Sequence, residues 1–156
     1  MALAPGSTTA AVFTQNAFCA APVVVAREHL QQQPPAYFLV NTGNANAGTG
    51  KAGLADARQC CEALANNAAC DSCAVLPFST GVIGEPLPVD RIVQGIPAAM
   101  ERLDEHGWEQ AATGILTTDT VPKGASITTE IGGRTVTVTG IAKGAGMIRP
   151  DMATML

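Results

Sequence analysis

Residues 37–78 alternate between two short apolar segments and a long amphipathic helix, and this alternation limits the folds open to the chain. Residues 37–40 and 73–78 are apolar runs bounded by turn residues, a pattern typical of buried strands. Residues 54–69 carry apolar side chains at three- and four-residue steps, which predicts a helix with one buried face. A strand, a helix and a strand in succession predict a mixed α/β protein in which helices cover a sheet.

The segment before this alternation predicts two further strands and a short helical turn. Residues 8–14 and 23–26 are rich in β-branched side chains, which favours strands. Residues 27–33 predict a helical turn that Pro34 and Pro35 terminate.

The segment after it predicts a helix, a strand and a hairpin. Residues 89–105 have one apolar helical face, interrupted or entered near Pro97, and residues 114–120 predict a strand. Residues 127–131 and 135–142 flank Gly-Gly with alternating apolar and polar side chains, which is a strong hairpin signal.

Composition excludes several classes of function. A chain of 156 residues suits one domain with a real core, and the 47% hydrophobic content with only 4% aromatic residues predicts a core of small side chains. The formal net charge of −4 argues against a nucleic-acid partner. Because no apolar run is long enough to span a bilayer and no basic leader begins the chain, we expect no membrane association and a cytoplasmic location.

The five cysteines predict neither a disulfide framework nor a metal site. Their number is odd, and Cys60 and Cys61 are adjacent within a helical pattern, so they do not complete a zinc knuckle with Cys70 and Cys73. We interpret them as small apolar residues. His29 and His106 lie in polar surroundings in the sequence and are interpreted as surface residues.

The loop at residues 41–53 is rich in asparagine and glycine and ends in Gly50-Lys51. It does not match a phosphate-binding loop, because that pattern requires a glycine where Ala45 stands and a hydroxyl side chain where Ala52 stands. We therefore expect tight turns with side chains bonded to the local backbone.

Two segments contain residues suited to acyl-transfer chemistry. Thr80 and Gly81 directly follow a predicted strand, so a hydroxyl and a backbone N–H could both donate to a tetrahedral oxyanion. The alternative is an ordinary exit from strand to turn. Near the end of the chain, Ala153 precedes Thr154, and a threonine becomes an efficient nucleophile when cleavage frees its own α-amine to act as the base. The alternative there is a plain glycine-rich loop.

The segment Lys143-Gly-Ala-Gly-Met-Ile-Arg-Pro-Asp-Met-Ala-Thr-Met-Leu156 resembles the self-cleavage motif of the ornithine acetyltransferase family, the bifunctional glutamate N-acetyltransferases of arginine biosynthesis. Residues 12–22, 41–48 and 79–84 also resemble family segments, in the same order. The resemblance therefore extends over nearly the whole chain.

The resemblance implies a self-cleaving, N-terminal-nucleophile-like acyltransferase fold, a mixed-sheet layered sandwich with helices on the outside. Residues 1–153 correspond to the alpha chain, and residues 154–156 begin a beta chain whose remainder is expected elsewhere. The implied activity transfers an acetyl group from N-acetylornithine to glutamate through an acetyl-threonine intermediate. No cofactor is implied, although acetyl-CoA is an alternative donor. The implied partner is the beta chain of the same precursor, in an alpha2-beta2 assembly, and the alpha chain alone is expected to be inactive.

The resemblance also assigns roles to individual residues. Lys143 is a substrate contact whose ammonium can bind a carboxylate and help to lower the pKa of the freed α-amine. Apart from the resemblance, the charge of Asp119 makes it an alternative site for attracting the ornithine amine. The family places the loop of Asn41 and Asn44 near the reaction centre, which implies supporting roles for them; the alternative is that both are structural turn residues. The remaining assignments are Thr80 and Gly81 as the oxyanion hole, Thr120 as a substrate contact, Ala153–Thr154 as the cleavage site and Thr154 as the nucleophile.

Two other readings remain. A related self-processing amidohydrolase or aminopeptidase would pass the acyl group to water instead of glutamate. An inactive fragment would act only as an assembly module.

Overall fold

The computed structural model describes residues 1–144, which form four helices and four strands in a mixed α/β arrangement. The predicted alternation of strand, helix and strand over residues 37–78 is confirmed, and a single 3-10 turn, Ser72–Ala74, precedes its second strand. The elements are α1 (Ala21–Gln32), β1 (Tyr37–Asn44), α2 (Gly50–Ala68), β2 (Val75–Val82), α3 (Val89–Glu101), α4 (Trp108–Gly114), β3 (Lys123–Ile131) and β4 (Arg134–Ala142).

Strands β1 and β2 form a parallel pair, and α2 is the crossover between them. Their register runs from Tyr37 opposite Val75 to Gly43 opposite Gly81. A bridge from Ala2 to Tyr37 adds the first residues of the chain antiparallel to the other edge of β1. Helices α1, α2 and α3 pack around a core of mostly small side chains, as expected: Val25, Ala57, Cys61, Leu64, Ala65, Val75 and Ile96.

Helix α1 replaces a predicted strand. Residues 23–26 are helical, so the strand prediction is wrong, although the helical turn predicted after it is confirmed. Pro22 stands in the first turn, where its missing N–H costs nothing. The buried positions Val25, Ala26 and His29 follow helical spacing. His29 was expected on the surface, but it is buried and its Nδ1 lies 2.8 Å from the Val75 carbonyl oxygen, which fastens α1 to β2.

Two other predicted strands do not form. Residues 8–14 have no regular structure and are largely exposed. The β propensity of their side chains is therefore not enough to form a strand, because none of the described strands pairs with them. Within the predicted strand 114–120, Gly114 ends α4 and Ile115 is buried against the protein. The predicted helix 89–105 is shorter, ending at Glu101, and Pro97 lies inside it.

Helix α2 buries the face on which Ala57, Cys61 and Leu64 lie. The interpretation of the cysteines as small core residues is confirmed for Cys60 and Cys61, which are 3% and 0% exposed. Burial raises the pKa of the Cys60 thiol to about 11 and that of Cys61 to about 12. Both side chains are therefore neutral thiols near neutral pH.

The predicted hairpin is confirmed and is longer than expected. Gly132 and Gly133 have φ values of +58° and +74°, the left-handed geometry that a two-residue hairpin turn requires. Ser126 and Thr128 pair by their hydroxyl oxygens with Thr139 and Thr137, at 2.9 and 3.0 Å. The hairpin returns the chain through β4 to Lys143.

None of the helices described in residues 1–144 is long and apolar enough to cross a membrane. Within the same residues, no cluster of three or more His, Cys, Asp or Glu side chains is placed to hold a metal ion.

Candidate active site

The candidate site lies at the carboxyl ends of the parallel strands β1 and β2. The register sets Thr42 opposite Thr80, so both strands reach this edge together. Thr80 is 1% exposed, which is unusual for a hydroxyl side chain at the end of a strand. The Thr42 hydroxyl points elsewhere and donates a 3.1 Å hydrogen bond to the Gly114 carbonyl at the end of α4.

Gly81 follows Thr80 and touches the backbone of β1. Its φ is +138°, a region that side-chain-bearing residues rarely adopt. A Cβ atom placed there would lie 2.3 Å from the Gly43 carbonyl carbon and 2.5 Å from the Asn44 nitrogen. The close approach of the two strands therefore requires glycine at this position.

Lys143 reaches the same place from the end of β4. Its ammonium donates a 3.0 Å hydrogen bond to Thr80 Oγ1, and the residue is only 5% exposed. An ammonium has donors but no acceptor, so Thr80 Oγ1 must be the acceptor in this pair. The hydroxyl proton of Thr80 is then available to a second acceptor, and the neighbouring positive charge makes it a stronger donor.

Asp119 binds the backbone next to Lys143. Its side chain has no exposed surface, its Oδ1 accepts a 2.8 Å hydrogen bond from the Gly144 N–H, and it also accepts from the Lys123 ammonium. These hydrogen bonds, that from Lys123 first and that from Gly144 second, lower the pKa of Asp119 to about 2. The carboxylate is enclosed and already binds the Lys123 ammonium, which argues against the expected role of Asp119 in attracting the ornithine amine.

Thr120 differs from its neighbour Asp119 in being exposed. It lies three residues before Lys123, the first residue of β3. Through Asp119 and Gly144 it is connected to Lys143, but the described contacts do not place its hydroxyl on Thr80.

Asn41 and Asn44, which lie in the second half of β1, form hydrogen bonds at the site edge of the sheet. The predicted bond to the local backbone is confirmed for Asn41, whereas the other bonds join distant segments. Asn41 accepts a 2.5 Å hydrogen bond from the Ser79 hydroxyl and donates to the Asn44 carbonyl at 2.9 Å. Asn44 donates to the carbonyls of Glu85 and Pro86, at 3.2 and 3.0 Å. These bonds connect β1 to β2 and to the segment that follows β2.

Asn46 is the centre of the loop after β1 and was not singled out from the sequence. It is 0% exposed with φ +46°, donates to the Gly53 carbonyl at 2.9 Å and accepts from the Thr49 hydroxyl at 2.8 Å. Its backbone carbonyl also accepts from the Ala21 N–H at the start of α1. Asparagine tolerates the left-handed conformation better than most residues, and this is the one signal that could have identified it.

A cavity of about 330 Å³ opens beside the first turn of α2, lined by Phe18, Cys19, Val24 and Leu54 among others. It is mostly apolar and shares no lining residue with the contact between Thr80 and Lys143.

The structure thus brings together Thr80, Gly81 and Lys143, three of the predicted site residues. Ala153 and Thr154, the predicted cleavage site and nucleophile, lie outside the described residues. Lys143 and Gly144 are the last described positions before them. Lys143, which follows β4 directly and contacts Thr80, therefore lies ten residues before Ala153, the first residue of the predicted cleavage site.

The described part of the chain is thus a mixed α/β protein whose polar site lies at the ends of its strands. The chain belongs to the ArgJ family, whose family model matches residues 1–156. The family resemblance drawn from the sequence motifs is therefore confirmed.

Known proteins of this family resemble the chain closely. It is 64% identical over 154 residues to the arginine biosynthesis bifunctional protein ArgJ of Methylococcus capsulatus, covering 99% of this chain and 38% of that protein. The chain thus spans 38% of the length of that curated relative.

Two solved structures have the same fold. The ArgJ protein of Bacillus halodurans matches with a TM-score of 0.82 and 43% identity, over 93% of this chain and 76% of that chain. The ornithine acetyltransferase of Mycobacterium tuberculosis, solved in complex with ornithine, matches with a TM-score of 0.85 and 35% identity, over 96% of this chain and 80% of that chain.

Proposed function

We propose that this chain is the amino-terminal part of a self-cleaving acetyltransferase of arginine biosynthesis, which moves an acetyl group from N-acetylornithine to glutamate. Residues 1–153 form its first chain, and Thr154 begins the second. The observation that carries the proposal is the buried contact between Lys143 and Thr80, next to Gly81. Family membership and the fold shared with an ornithine acetyltransferase support it.

The first stage is cleavage of the precursor. Thr154 Oγ attacks the Ala153 carbonyl carbon, the C–N bond between the two residues breaks, and an ester to Oγ takes its place. Water then hydrolyses the ester, which leaves a carboxylate on Ala153 and frees both the hydroxyl and the α-amine of Thr154. That hydroxyl and amine form the nucleophile and base of the second stage.

The second stage is a two-step transfer. The α-amine of Thr154 takes the hydroxyl proton while Oγ attacks the acetyl carbonyl of N-acetylornithine. The amide C–N bond breaks, and the departing ornithine nitrogen receives that proton from the α-amine. The amine of glutamate then attacks the acetyl ester, the ester C–O bond breaks, and the proton lost by the glutamate amine passes through the α-amine to Oγ, which restores free Thr154. This ping-pong sequence is the kinetic signature of a covalent intermediate.

Thr80 and Gly81 supply the donors for the oxyanion that forms in each step. A donor of this kind contributes about 10²- to 10³-fold to kcat in acyl transfer. Because Lys143 occupies an acceptor position of Thr80, it directs the Thr80 hydroxyl proton away from itself and toward the reacting oxygen. Lys143 and Thr120 are the proposed contacts to the substrate carboxylate and acyl group.

The rest of the proposal concerns assembly. The first and second chains of the same precursor form an alpha2-beta2 assembly with an N-terminal-nucleophile-like sandwich, and the first chain alone is inactive. No cofactor takes part, and acetyl-CoA is a second donor to be tested. The proposed location is the cytoplasm, a reducing compartment in which free cysteines such as Cys60 and Cys61 stay as thiols.

The test uses the full-length precursor and its Thr154→Ala variant. Mass spectrometry is expected to find products that meet at Ala153 and Thr154 in the wild type, an uncut chain in Thr154→Ala, and partial cleavage in Thr154→Ser, which keeps the hydroxyl. Cleavage between these residues in Thr154→Ala would contradict the assignment of the nucleophile.

A second measurement identifies the acceptor and the donor. The cleaved enzyme given N-acetylornithine is expected to carry an acetyl group on Thr154 and to release N-acetylglutamate when glutamate is added. Release of acetate at the same rate without glutamate would instead indicate an amidohydrolase. An uncut wild-type precursor would indicate an assembly module. Replacing N-acetylornithine by acetyl-CoA shows whether the thioester also acts as a donor.

A further inference from the structure

Asp119 is enclosed in the protein, beside the candidate site but not in it. Its side chain has no exposed surface, whereas its ammonium partner, the Lys123 side chain, is 43% exposed. Burying a carboxylate is costly unless it is paired and hydrogen-bonded. Lys123 could form an ion pair equally well with an exposed carboxylate. The ion pair alone therefore does not explain why the side chain of Asp119 is buried.

The second partner of Asp119 supplies one. Its Oδ1 accepts the Gly144 N–H at 2.8 Å, and Gly144 has a φ of +148°, outside the range of ordinary side-chain-bearing residues. The carboxylate therefore holds Gly144 in an unusual backbone conformation. Gly144 is the second residue after β4 and precedes the segment that contains Ala153 and Thr154.

The residue on the other side of the same peptide bond is Lys143. With the Gly144 nitrogen bound to Asp119, the backbone that carries the Lys143 side chain is held as well, and its ammonium lies 3.0 Å from Thr80 Oγ1. One carboxylate thus anchors both the lysine at the oxyanion donor and the start of the segment to be cleaved.

We propose that Asp119 is a positioning residue, which sets the place of Lys143 on Thr80 by binding the Gly144 N–H. It touches neither the substrate nor the reacting atoms. This inference rests on the proposed function, because it concerns the geometry of the same reaction. It requires the position of the accepting oxygen, not the negative charge.

Two substitutions separate position from charge. Asp119→Asn keeps an oxygen where Oδ1 stands and removes the charge, whereas Asp119→Glu keeps the charge and displaces the oxygen by one methylene. Displacement of reacting groups by about 1 Å can cost about 100-fold in rate. We therefore expect precursor cleavage to slow by about 100-fold in Asp119→Glu and by less than about 10-fold in Asp119→Asn.

The control is Glu28→Ala, which removes the carboxylate of an exposed ion pair with Arg58, where the two groups lie 2.8 Å apart. Its cleavage rate is expected to match the wild type. All rates are corrected for the folded fraction, measured by urea unfolding of each variant before cleavage.

The cleaved enzymes give a readout that a purely structural role would not move. Since Lys143 is the proposed contact to the glutamate carboxylate, Asp119→Glu is expected to raise the KM for glutamate about 10-fold or more at an equal folded fraction, with KM nearly unchanged in Asp119→Asn.

The outcomes distinguish this inference from the function on which it rests. A wild-type precursor that stays uncut would contradict the proposed function itself. If the wild type is cut and Asp119→Glu is cut equally fast with the same KM, Asp119 has no positioning role. Cleavage that is slow in Asp119→Asn and fast in Asp119→Glu would mean that the charge matters, and it too overturns the inference.

Discussion

The ammonium of Lys143 and the hydroxyl oxygen of Thr80 lie 3.0 Å apart, although 63 positions separate the two residues in the chain. Both residues are almost completely buried. A buried ammonium needs hydrogen-bonding partners, and Thr80 at the end of β2 provides one. The contact joins the parallel pair β1–β2 to the hairpin β3–β4, which share no strand pairing.

Replacing Thr80 by valine removes this acceptor and leaves the side-chain shape almost unchanged. We expect a loss of about 1.5–3 kcal/mol in the free energy of unfolding, the usual range for a hydrogen bond to a charged group. The kcat of acetyl transfer should fall by about 10²- to 10³-fold. Urea unfolding and steady-state kinetics measure the two effects. Thr80→Ser keeps the hydroxyl and should recover most of kcat; equal losses in both variants would exclude the hydroxyl as the cause.

Replacing Gly81 by alanine places a methyl group 2.3 Å from the Gly43 carbonyl carbon, at a φ of +138°. Backbone strain and overpacking together predict a loss of about 3–5 kcal/mol in unfolding free energy. Gly95→Ala is the matched control, because an added Cβ there meets no atom within 4 Å. Gly95 lies inside α3, so alanine should stabilise the protein by about 0.5–1 kcal/mol. A Gly81→Ala protein as stable as Gly95→Ala would contradict the close strand approach.

The pKa of Asp119 predicts how stability changes in acid. It is lowered from 3.8 to about 2 in the folded protein, chiefly by the hydrogen bond from Lys123. The folded state binds the carboxyl proton of Asp119 less tightly than the unfolded state does. The contribution of Asp119 to the free energy of unfolding is therefore complete above about pH 4 and is lost as pH falls toward 2. Urea midpoints measured from pH 5 to 2 should decline less steeply in Asp119→Asn than in the wild type. Parallel declines would show that Asp119 is not the group responsible.

Replacing Asn46 by alanine removes two side-chain hydrogen bonds and leaves a residue with φ +46° that no longer tolerates this conformation well. About 1 kcal/mol for each bond and about 1 kcal/mol for the backbone predict a loss of about 3 kcal/mol. Thermal unfolding measures it. Asn67→Ala, at an exposed position of α2, should change stability by less than about 0.5 kcal/mol. If the unfolding free energies of the two variants differ by less than about 0.5 kcal/mol, the loop does not depend on Asn46.

Local patterns in the sequence were enough to predict the elements that carry their own signals. Helix α2 has an uninterrupted apolar face, and the hairpin has Gly132 and Gly133 at its turn. The strand 23–26 was predicted from three consecutive valines, whose β propensity is overridden by the packing of Val25 and Ala26 in α1. Residues 114–120 were also predicted as a strand, but Gly114 belongs to the last turn of α4.

The site could be predicted in part. Thr80, Gly81 and Lys143 were identified from motifs, and the structure adds that Thr80 and Lys143 touch. Such a contact over 63 positions leaves no periodic trace in the sequence. For the same reason Asp119 was assigned to the substrate amine, since its contacts with Lys123 and with Gly144, the latter 25 positions away, become visible only in three dimensions.

The parallel register between β1 and β2 decides which side chain faces Lys143. Successive residues of a strand point to opposite faces, so one inserted or deleted residue within β2 would exchange the places of Ser79 and Thr80. The ammonium would then meet the wrong hydroxyl, and Gly81 would no longer lie against Gly43. A change of length within either strand would therefore disrupt the site, whereas a change in the connections outside the two strands would leave this register intact.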